Sequence, residues 1–256
     1  MAYYDDEINI INDFRDCRDE DICLLNKDSE TLLQNIRDEE TWHQSNGKAD
    51  PPPDFYSDTR RLMMEVMRID DHAYTGDNGK TINPHIQKEN KTYKEIQRYL
   101  KEQNIAFSGD ILVNTVTDLP AEEDHSYDKY TANFQRVLGK HDSSYELYVR
   151  NHSDHKLIYF ILDESSPYME LDNQGDRLAV TGKAVKARVH LPFLDKSFVS
   201  VLKNAKADYF VWYMPFKHFN SVEKVVLPQA VIYSKDDLKK ITVQKYKRTL
   251  MSSMEI

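Results

Sequence analysis

The sequence predicts an α/β protein with a mixed, largely parallel sheet that is flanked by helices on both faces. Two observations support this fold class. Short apolar runs, typical of strands buried on both faces, occur at intervals along the chain. Between them lie stretches whose apolar residues recur every three to four positions, as in amphipathic helices. Strands and helices in alternation favour a partly parallel sheet covered by helices.

The first 48 residues are expected to form a small, acidic, helical subregion. Residues 5–16 and residues 29–44 both repeat apolar side chains at helical spacing. Residues 45–53 then include three consecutive prolines, which cannot continue a helix. We therefore place a junction there and assign residues 49–256 to the α/β domain, with both parts forming one compact unit.

Five apolar runs of the α/β domain are predicted to be strands. The run at residues 157–162 is continuous, which is typical of a central strand. Pro228 interrupts another run and favours an edge position for it, because proline donates no hydrogen bond. The predicted strands are Arg61–Ile69, Ile111–Val116, Leu157–Leu162, Tyr209–Met214 and Val225–Tyr233.

Helices are expected around these strands. Residues 73–90 are polar and contain two glycines and a proline, so they indicate an exposed loop. Asp195 is a candidate N-cap, and Ser234 with Asp237 resembles a capping box for a last helix. Helical spacing is found in the apolar residues of segments 93–100, 127–138 and 198–202.

Composition narrows the function classes. The 256 residues are 40% hydrophobic and 30% charged, as in a globular protein. The chain contains no Walker A, GxGxxG, nucleophile-elbow or HExxH pattern, which argues against the enzymes that use them. Cys17 and Cys23 are expected to be free thiols. Because the N-terminus does not resemble a signal peptide and no apolar run reaches about 18 residues, we expect a cytoplasmic protein without a membrane partner.

Charge is distributed unevenly. Residues 1–50 hold 14 acidic against 5 basic residues, and residues 201–256 hold 10 basic against 5 acidic ones. The net charge of −9 argues against a general nucleic-acid coat protein. The basic C-terminal third can nevertheless contact a phosphate backbone, or it can be ordinary solvated surface. Its cationic residues are Lys239, Lys240, Lys245, Lys247 and Arg248.

Asp54 and Glu65 are the strongest candidates for chemistry. Two carboxylates on adjacent strands can hold Mg2+, which prefers oxygen ligands. A bound metal lowers the pKa of a water molecule and stabilises charge on a phosphate oxygen. Glu65 also stands within an apolar run, so it must be paired or ligated if that run is buried.

Pro53-Asp54, followed by Glu65-Val66-Met67, resembles the PD-(D/E)xK motif of the restriction-endonuclease-like nuclease superfamily. The resemblance covers about 30 residues, and the order helix, strand, strand, helix, strand agrees with it. It implies a divergent Mg2+-dependent phosphodiesterase that cleaves nucleic acid, with Mn2+ as a substitute ion. The implied metal ligands are Asp54, Glu65 and the backbone carbonyl of Val66, and either Glu39 or Glu40 would add a further acid.

The sequence departs from this family at one position. Met67 stands where the motif has the lysine that orients the attacking water. Some members of the superfamily carry this lysine on a nearby helix, and the resemblance then implies Lys91 or Lys94 in that role.

A different interpretation of the same residues stays open. Asp54 can close the proline-rich turn through an Asx hydrogen bond, and Glu65 can form an ion pair with Arg60 or Arg61. The protein would then be a non-catalytic interaction protein whose acidic N-terminal region binds a basic partner.

Two further groups of polar residues are candidate sites. Asp163-Glu164-Ser165-Ser166 follows the predicted central strand, where open α/β sheets collect ligands, although the stretch can also be an ordinary turn. Histidines and acids combine in three short clusters that suit Zn2+ or Mn2+, or that lie at helix ends without a metal. These clusters are Asp70-Asp71-His72, Glu122-Glu123-Asp124-His125 and His152-Ser153-Asp154-His155.

Overall fold

The computed structural model describes residues 6–45, 52–76, 78–105, 125–173, 187–217, 219–220 and 225–254. Within these residues the helices are α1 (Glu7–Arg15), α2 (Lys27–Arg37), α3 (Pro84–Glu102), α4 (Tyr127–Ser143), α5 (Tyr145–Asn151), α6 (Lys196–Asn204) and α7 (Asp237–Lys240). The strands are β1 (Ile22–Leu24), β2 (His43–Gln44), β3 (Phe55–Ser57), β4 (Leu62–Ile69), β5 (Tyr74–Thr75), β6 (Thr81–Ile82), β7 (Lys156–Asp163), β8 (Tyr168–Leu171), β9 (Ala187–Val189), β10 (Tyr209–Tyr213), β11 (Phe219–Asn220), β12 (Val225–Leu227), β13 (Ala230–Ser234) and β14 (Met251–Ser253).

A seven-stranded mixed sheet forms the centre of the fold. Its strand order is β1-β13-β10-β7-β4-β3-β2. The three central strands β10, β7 and β4 are parallel to one another, whereas β3 is antiparallel to β4 and β2 is antiparallel to β3. At the other side β13 is antiparallel to β10 and parallel to β1. The predicted α/β class, with a largely parallel sheet centre, is confirmed.

Successive side chains of each strand point to opposite faces of the sheet, so the core consists of two layers, one on each face. On one face, residues of α4 and α6 pack against Met63, Leu157 and Trp212. On the other face, residues of α1 and α2 pack against Met64 and Ile158, which are the next residues along the same strands. Neighbouring side chains of a strand point to opposite faces, so the continuous apolar runs cover both layers.

The N-terminal segment belongs to this sheet. Strand β1 pairs with β13 in the register Ile22↔Ala230, while α1 and α2 lie on one face of the sheet. Asn26 caps α2 by accepting a hydrogen bond from Ser29 N at 2.9 Å. The predicted second helix ends at Arg37, earlier than the expected 44.

Most predicted elements occur where the sequence indicates them. Residues 157–162 lie within β7 at the centre of the sheet, and residues 127–138 lie within α4. Asp195 caps α6, since its Oδ1 accepts a hydrogen bond from Ser197 N at 2.8 Å. The predicted strand Ile111–Val116 lies outside the described residues.

Two predictions were wrong. Residues 73–90 are not one loop, because they form the hairpin β5–β6 and the first turns of α3, with Pro84 at its start. Segment 225–233 is not a single edge strand, because Pro228 separates β12 from β13. The proline precedes β13, so all amides of that strand stay available and it pairs on both sides.

Smaller elements surround the sheet. Strands β14, β8 and β9 form a three-stranded antiparallel sheet, and β11 pairs with β12. Helix α3 has no buried residue, and Ile86, Tyr93 and Tyr99 are exposed on it. Among the described helices, none combines the length and the hydropathy that crossing a bilayer requires.

Candidate functional site

Asp54 and Glu65 lie opposite each other at the point where β3 begins. Strand β3 pairs antiparallel with β4 in the register Phe55↔Met64, so the next position outward joins Asp54 and Glu65. Residues directly opposite on antiparallel strands point to the same face of the sheet. The predicted pair of acids is therefore brought together by the β3–β4 hairpin.

The pair is electrostatically unfavourable. Glu65 is 6% exposed, and Asp54 is half-buried beside it. Burial, together with the charge of Glu65, raises the pKa of Asp54 to about 7, and the hydrogen bond from Val66 N opposes that increase. Two carboxylates in a poorly hydrated position repel each other, and either a proton on Asp54 or a nearby cation relieves that repulsion.

His141 supplies part of that compensation. Its Nδ1 lies 2.7 Å from Glu65 Oε1. The second oxygen, Glu65 Oε2, is buried and has no hydrogen-bond partner among the described residues. An unpartnered buried carboxylate oxygen is costly, so one ligand position of Glu65 is left for a cation.

Tyr148 closes the site beside His141. Its hydroxyl lies 3.4 Å from His141 Nδ1, and its ring is buried. Burial and the charge of Glu65 raise the pKa of Tyr148, so the phenol stays protonated. Neither His141 nor Tyr148 was indicated by the sequence. His141 lies 76 positions after Glu65 and reaches it only because α4 packs across β4.

The backbone of Val66 faces Asp54. Val66 N donates to Asp54 Oδ2 at 2.8 Å. The N–H and C=O groups of one strand residue point to the same edge, so the Val66 carbonyl also lies on the Asp54 side of β4. Strand β3 pairs with β4 only as far as Met64, which leaves this edge of β4 without a strand neighbour in the described part of the chain.

The other predicted residues of the site lie elsewhere. Glu39 and Glu40 are exposed after α2, which covers the opposite face of the sheet, and Glu39 lies 4.0 Å from Arg15. Lys91 and Lys94 are exposed on α3. In the described structure neither lysine has a hydrogen bond or ion pair with Asp54 or Glu65.

Met67 and the arginines near the hairpin also contribute no cation to the pair. Met67 is buried in the layer under α4. Arg60 pairs with Asp38 at 2.6 Å, and Arg61 is exposed. The expectation of an arginine partner for Glu65 was wrong, because His141 has that position.

Asp163, at the carboxyl end of β7, is the centre of a satisfied buried network. Its Oδ2 accepts from Trp212 Nε1 at 2.9 Å, from Lys217 Nζ at 2.8 Å and from the Tyr130 hydroxyl. Its Oδ1 accepts from the amide and the hydroxyl of Ser165. With both oxygens occupied, Asp163 holds a buried lysine in place and offers no ligand position.

Glu164 follows Asp163 and has a different role. It forms a two-point contact with Arg68 of β4, at 3.0 Å and 2.6 Å. This ion pair joins the two parallel strands, so Asp163 and Glu164 are each paired with a cation of the chain itself.

The histidine clusters have separate outcomes. His152 is the C-cap residue of α5, as expected for a histidine at a helix end, and His155 Nε2 lies 3.2 Å from the exposed Asp58. Asp70 accepts hydrogen bonds from the backbone of His72 and Ala73, which shapes the turn after β4. Residues 122–124 lie outside the described residues.

The basic C-terminal third is mainly extended. The helix after the Ser234 capping box is only four residues long. Lys239 pairs with Asp236 at 2.7 Å and Arg248 pairs with Asp128 at 2.7 Å, while Lys245 and Lys247 are exposed. The expected cationic helix is therefore a short helix followed by an extended segment.

Comparison with known proteins found no matching family model, no matching curated protein and no matching solved structure.

Proposed function

We propose that the chain is a Mg2+-dependent phosphodiesterase of the nuclease type, with Asp54, Glu65 and the carbonyl of Val66 as metal ligands. One observation carries the proposal. Asp54, directly before β3, interacts electrostatically with Glu65 of β4, and Glu65 Oε2 is buried without a hydrogen-bond partner in the described structure. A divalent cation between the two carboxylates would remove both the repulsion and the unpartnered oxygen.

The ligand chemistry favours a hard cation. Both side chains offer oxygen atoms, and the Val66 carbonyl, on the Asp54 side of β4, offers a third. Mg2+ prefers oxygen ligands and keeps several water molecules, so three protein oxygens at a half-buried site suit it. When bound there, Mg2+ supplies a water of lowered pKa and neutralises charge on a phosphate oxygen.

His141 is the residue of this chain that can take over the function of the missing lysine. With Glu65 ionised, the contact at 2.7 Å has Nδ1–H donating to Oε1, which fixes the orientation of the ring. Nε2 is then the nitrogen that can accept a proton or orient a water molecule. The side chain is 15% exposed, so solvent reaches it.

A nucleic acid is the proposed substrate, and exposed cations such as Lys245 and Lys247 are candidates for contacting its backbone. The alternative interaction role for the acidic N-terminal region has less support, because several of its carboxylates are already engaged within the chain. Asp13, Asp19, Asp21 and Asp38 contact Tyr213, Arg37, Arg18 and Arg60, respectively.

The test is Mg2+- and Mn2+-dependent cleavage of single- and double-stranded DNA and RNA. Asp54→Asn and Glu65→Gln should each lower the cleavage rate by about 100-fold or more, because even outer-shell changes at metal sites reduce activity by about 10- to 100-fold. Asp58→Asn is the matched control, since Asp58 lies in the same hairpin with its side chain 72% exposed. Wild-type cleavage in both test variants, or no cleavage by the wild type, would contradict the proposal.

A further inference from the structure

Asp71, His72 and His125 lie together at the carboxyl ends of the central strands. Asp71 and His72 follow β4, and His125 precedes α4. Ser166, which contacts Asp71, follows β7. We propose that Asp71, His72 and His125 bind a divalent transition-metal ion of the zinc class, at a site separate from Asp54 and Glu65. This edge of a parallel sheet is where α/β proteins place ligands.

The distances between the ligand atoms suit one ion. Asp71 Oδ1, the candidate ligand oxygen, lies 3.6 Å from His72 Nε2. His125 Nδ1 lies 3.5 Å from the other oxygen, Oδ2, and 3.1 Å from the Ser166 hydroxyl. One ligand atom from each residue falls within a group no wider than 4.8 Å. Zinc bonds of about 2.1 Å in a tetrahedral site separate neighbouring ligand atoms by roughly 3.4 Å, so small rotations suffice to close the group around an ion.

The two oxygens of Asp71 are used very differently, although the side chain is completely buried. Oδ2 accepts hydrogen bonds from the Ser166 amide at 3.2 Å, from the Ser166 hydroxyl and from the Tyr168 hydroxyl at 2.7 Å. Hydrogen bonds to Oδ2 hold the carboxylate in place, and Oδ1 is buried without a hydrogen-bond partner among the described residues. Carboxylates that ligate metals are oriented by supporting hydrogen bonds in the same way.

The imidazoles form a compact group on the solvent side of Asp71. The ring centroids of His72 and His125 are 4.7 Å apart, and the ring of His85 lies 3.9 Å from that of His72. The side chains of His72 and His125 are 16% and 12% exposed, which gives an ion access from solvent. Two imidazoles with one carboxylate favour zinc-class ions, whereas the Asp54–Glu65 pair favours Mg2+.

The competing explanation is that the rings are protonated and serve as the counter-ions of Asp71. The purified chain binds a metal ion under the first explanation and does not under the second. We expect the chain to bind one equivalent of Co2+. Binding should give the visible absorption of a nitrogen-ligated Co2+ ion, and added Zn2+ should displace the Co2+ and remove that absorption. His72→Gln and His125→Gln should each weaken Co2+ binding by about 10- to 100-fold or more.

His152→Gln is the matched control, because it lies in the other histidine cluster and should bind Co2+ as the wild type does. Absence of Co2+ binding by the wild type, or wild-type Co2+ binding by both test variants, would overturn the proposal. The readout is metal binding and not cleavage, so this result is independent of the outcome for Asp54 and Glu65.

A second measurement needs only the wild-type chain and covers the case of variants that do not fold. Diethylpyrocarbonate acylates uncoordinated neutral imidazoles, and mass spectrometry locates the product. Zn2+ should protect His72 and His125 while the exposed His43 continues to react. Equal acylation of His72 and His125 with and without Zn2+ would overturn the proposal.

Discussion

Asp54→Asn should stabilise the metal-free protein at alkaline pH. The substitution keeps the shape of the side chain and an oxygen that can accept from Val66 N, but it removes the charge that faces Glu65. Replacing a surface Asp by Asn normally changes the free energy of unfolding very little. The gain expected for Asp54→Asn therefore comes from the position of Asp54 beside a buried carboxylate. The variant tests the electrostatic argument without depending on any activity.

The magnitude follows from the pKa of Asp54, which is about 7 in the folded chain against an ordinary value of 3.8. Above pH 7 the ionised group destabilises the folded state by about 4 kcal/mol at most. Between 3.8 and about 7 the folded chain binds the proton more tightly than the unfolded chain does, so stability falls as pH rises through this window. At pH 5 the penalty is only about 1.5 kcal/mol, because the folded chain keeps the proton.

The assay is urea unfolding of wild type, Asp54→Asn and the control Asp58→Asn at pH 5 and pH 8, with a chelator present. The advantage of Asp54→Asn over the wild type should grow by about 2.5 kcal/mol from pH 5 to pH 8. Mg2+ should then stabilise the wild type at pH 8 and leave Asp54→Asn unchanged. A variant that is less stable than the wild type at pH 8, or that shows the same pH dependence, would refute the reasoning.

Two further predictions concern the partners of the buried acids. His141→Gln should lower the cleavage rate by about 10- to 100-fold and should change the Mg2+ affinity by less than about 10-fold relative to the wild type. The reason is that His141 orients Glu65 without being a metal ligand. Equal losses of cleavage rate and Mg2+ affinity would contradict this role. Lys217→Met should destabilise the fold by about 3–5 kcal/mol, since it leaves the Asp163 charge buried without its cation. The double variant with Asp163→Asn should lose less than the sum of the single changes, and strict additivity in urea unfolding would argue against the pairing.

The sequence predicts much of this fold because its strongest signals are local. A continuous apolar run at residues 157–162 has few alternatives to a central strand, and β7 has that position. Pro228 shows the limit of such signals, since a proline weakens only the pairing of its own position. The start of α3 was available from the sequence, because Asn83 caps the helix and Pro84 suits its first turn, but the surrounding polar residues favoured a loop.

The contacts of the candidate sites are likewise either local in the sequence or dependent on tertiary structure. Asp54 and Glu65 are joined by a short hairpin, so their juxtaposition follows from local pairing. His141 and Lys217 reach their acids through packing between elements that are distant in the chain. Asp71 and His125 belong to different clusters in the sequence, and only the ends of β4 and α4 bring them together. Contacts of this kind depend on tertiary structure, which residue spacing does not encode.

The pairing of β1 with β13 links order of synthesis to completion of the sheet. Ile22 lies beside Ala230, so β1 is synthesised roughly 200 residues before the strand that pairs with it. Until that neighbour emerges, Ile22–Leu24 can only present unsatisfied amide and carbonyl groups to the solvent or to a chaperone. A chain that lacks β13 would therefore leave β1 without its strand neighbour and open to pairing with another chain.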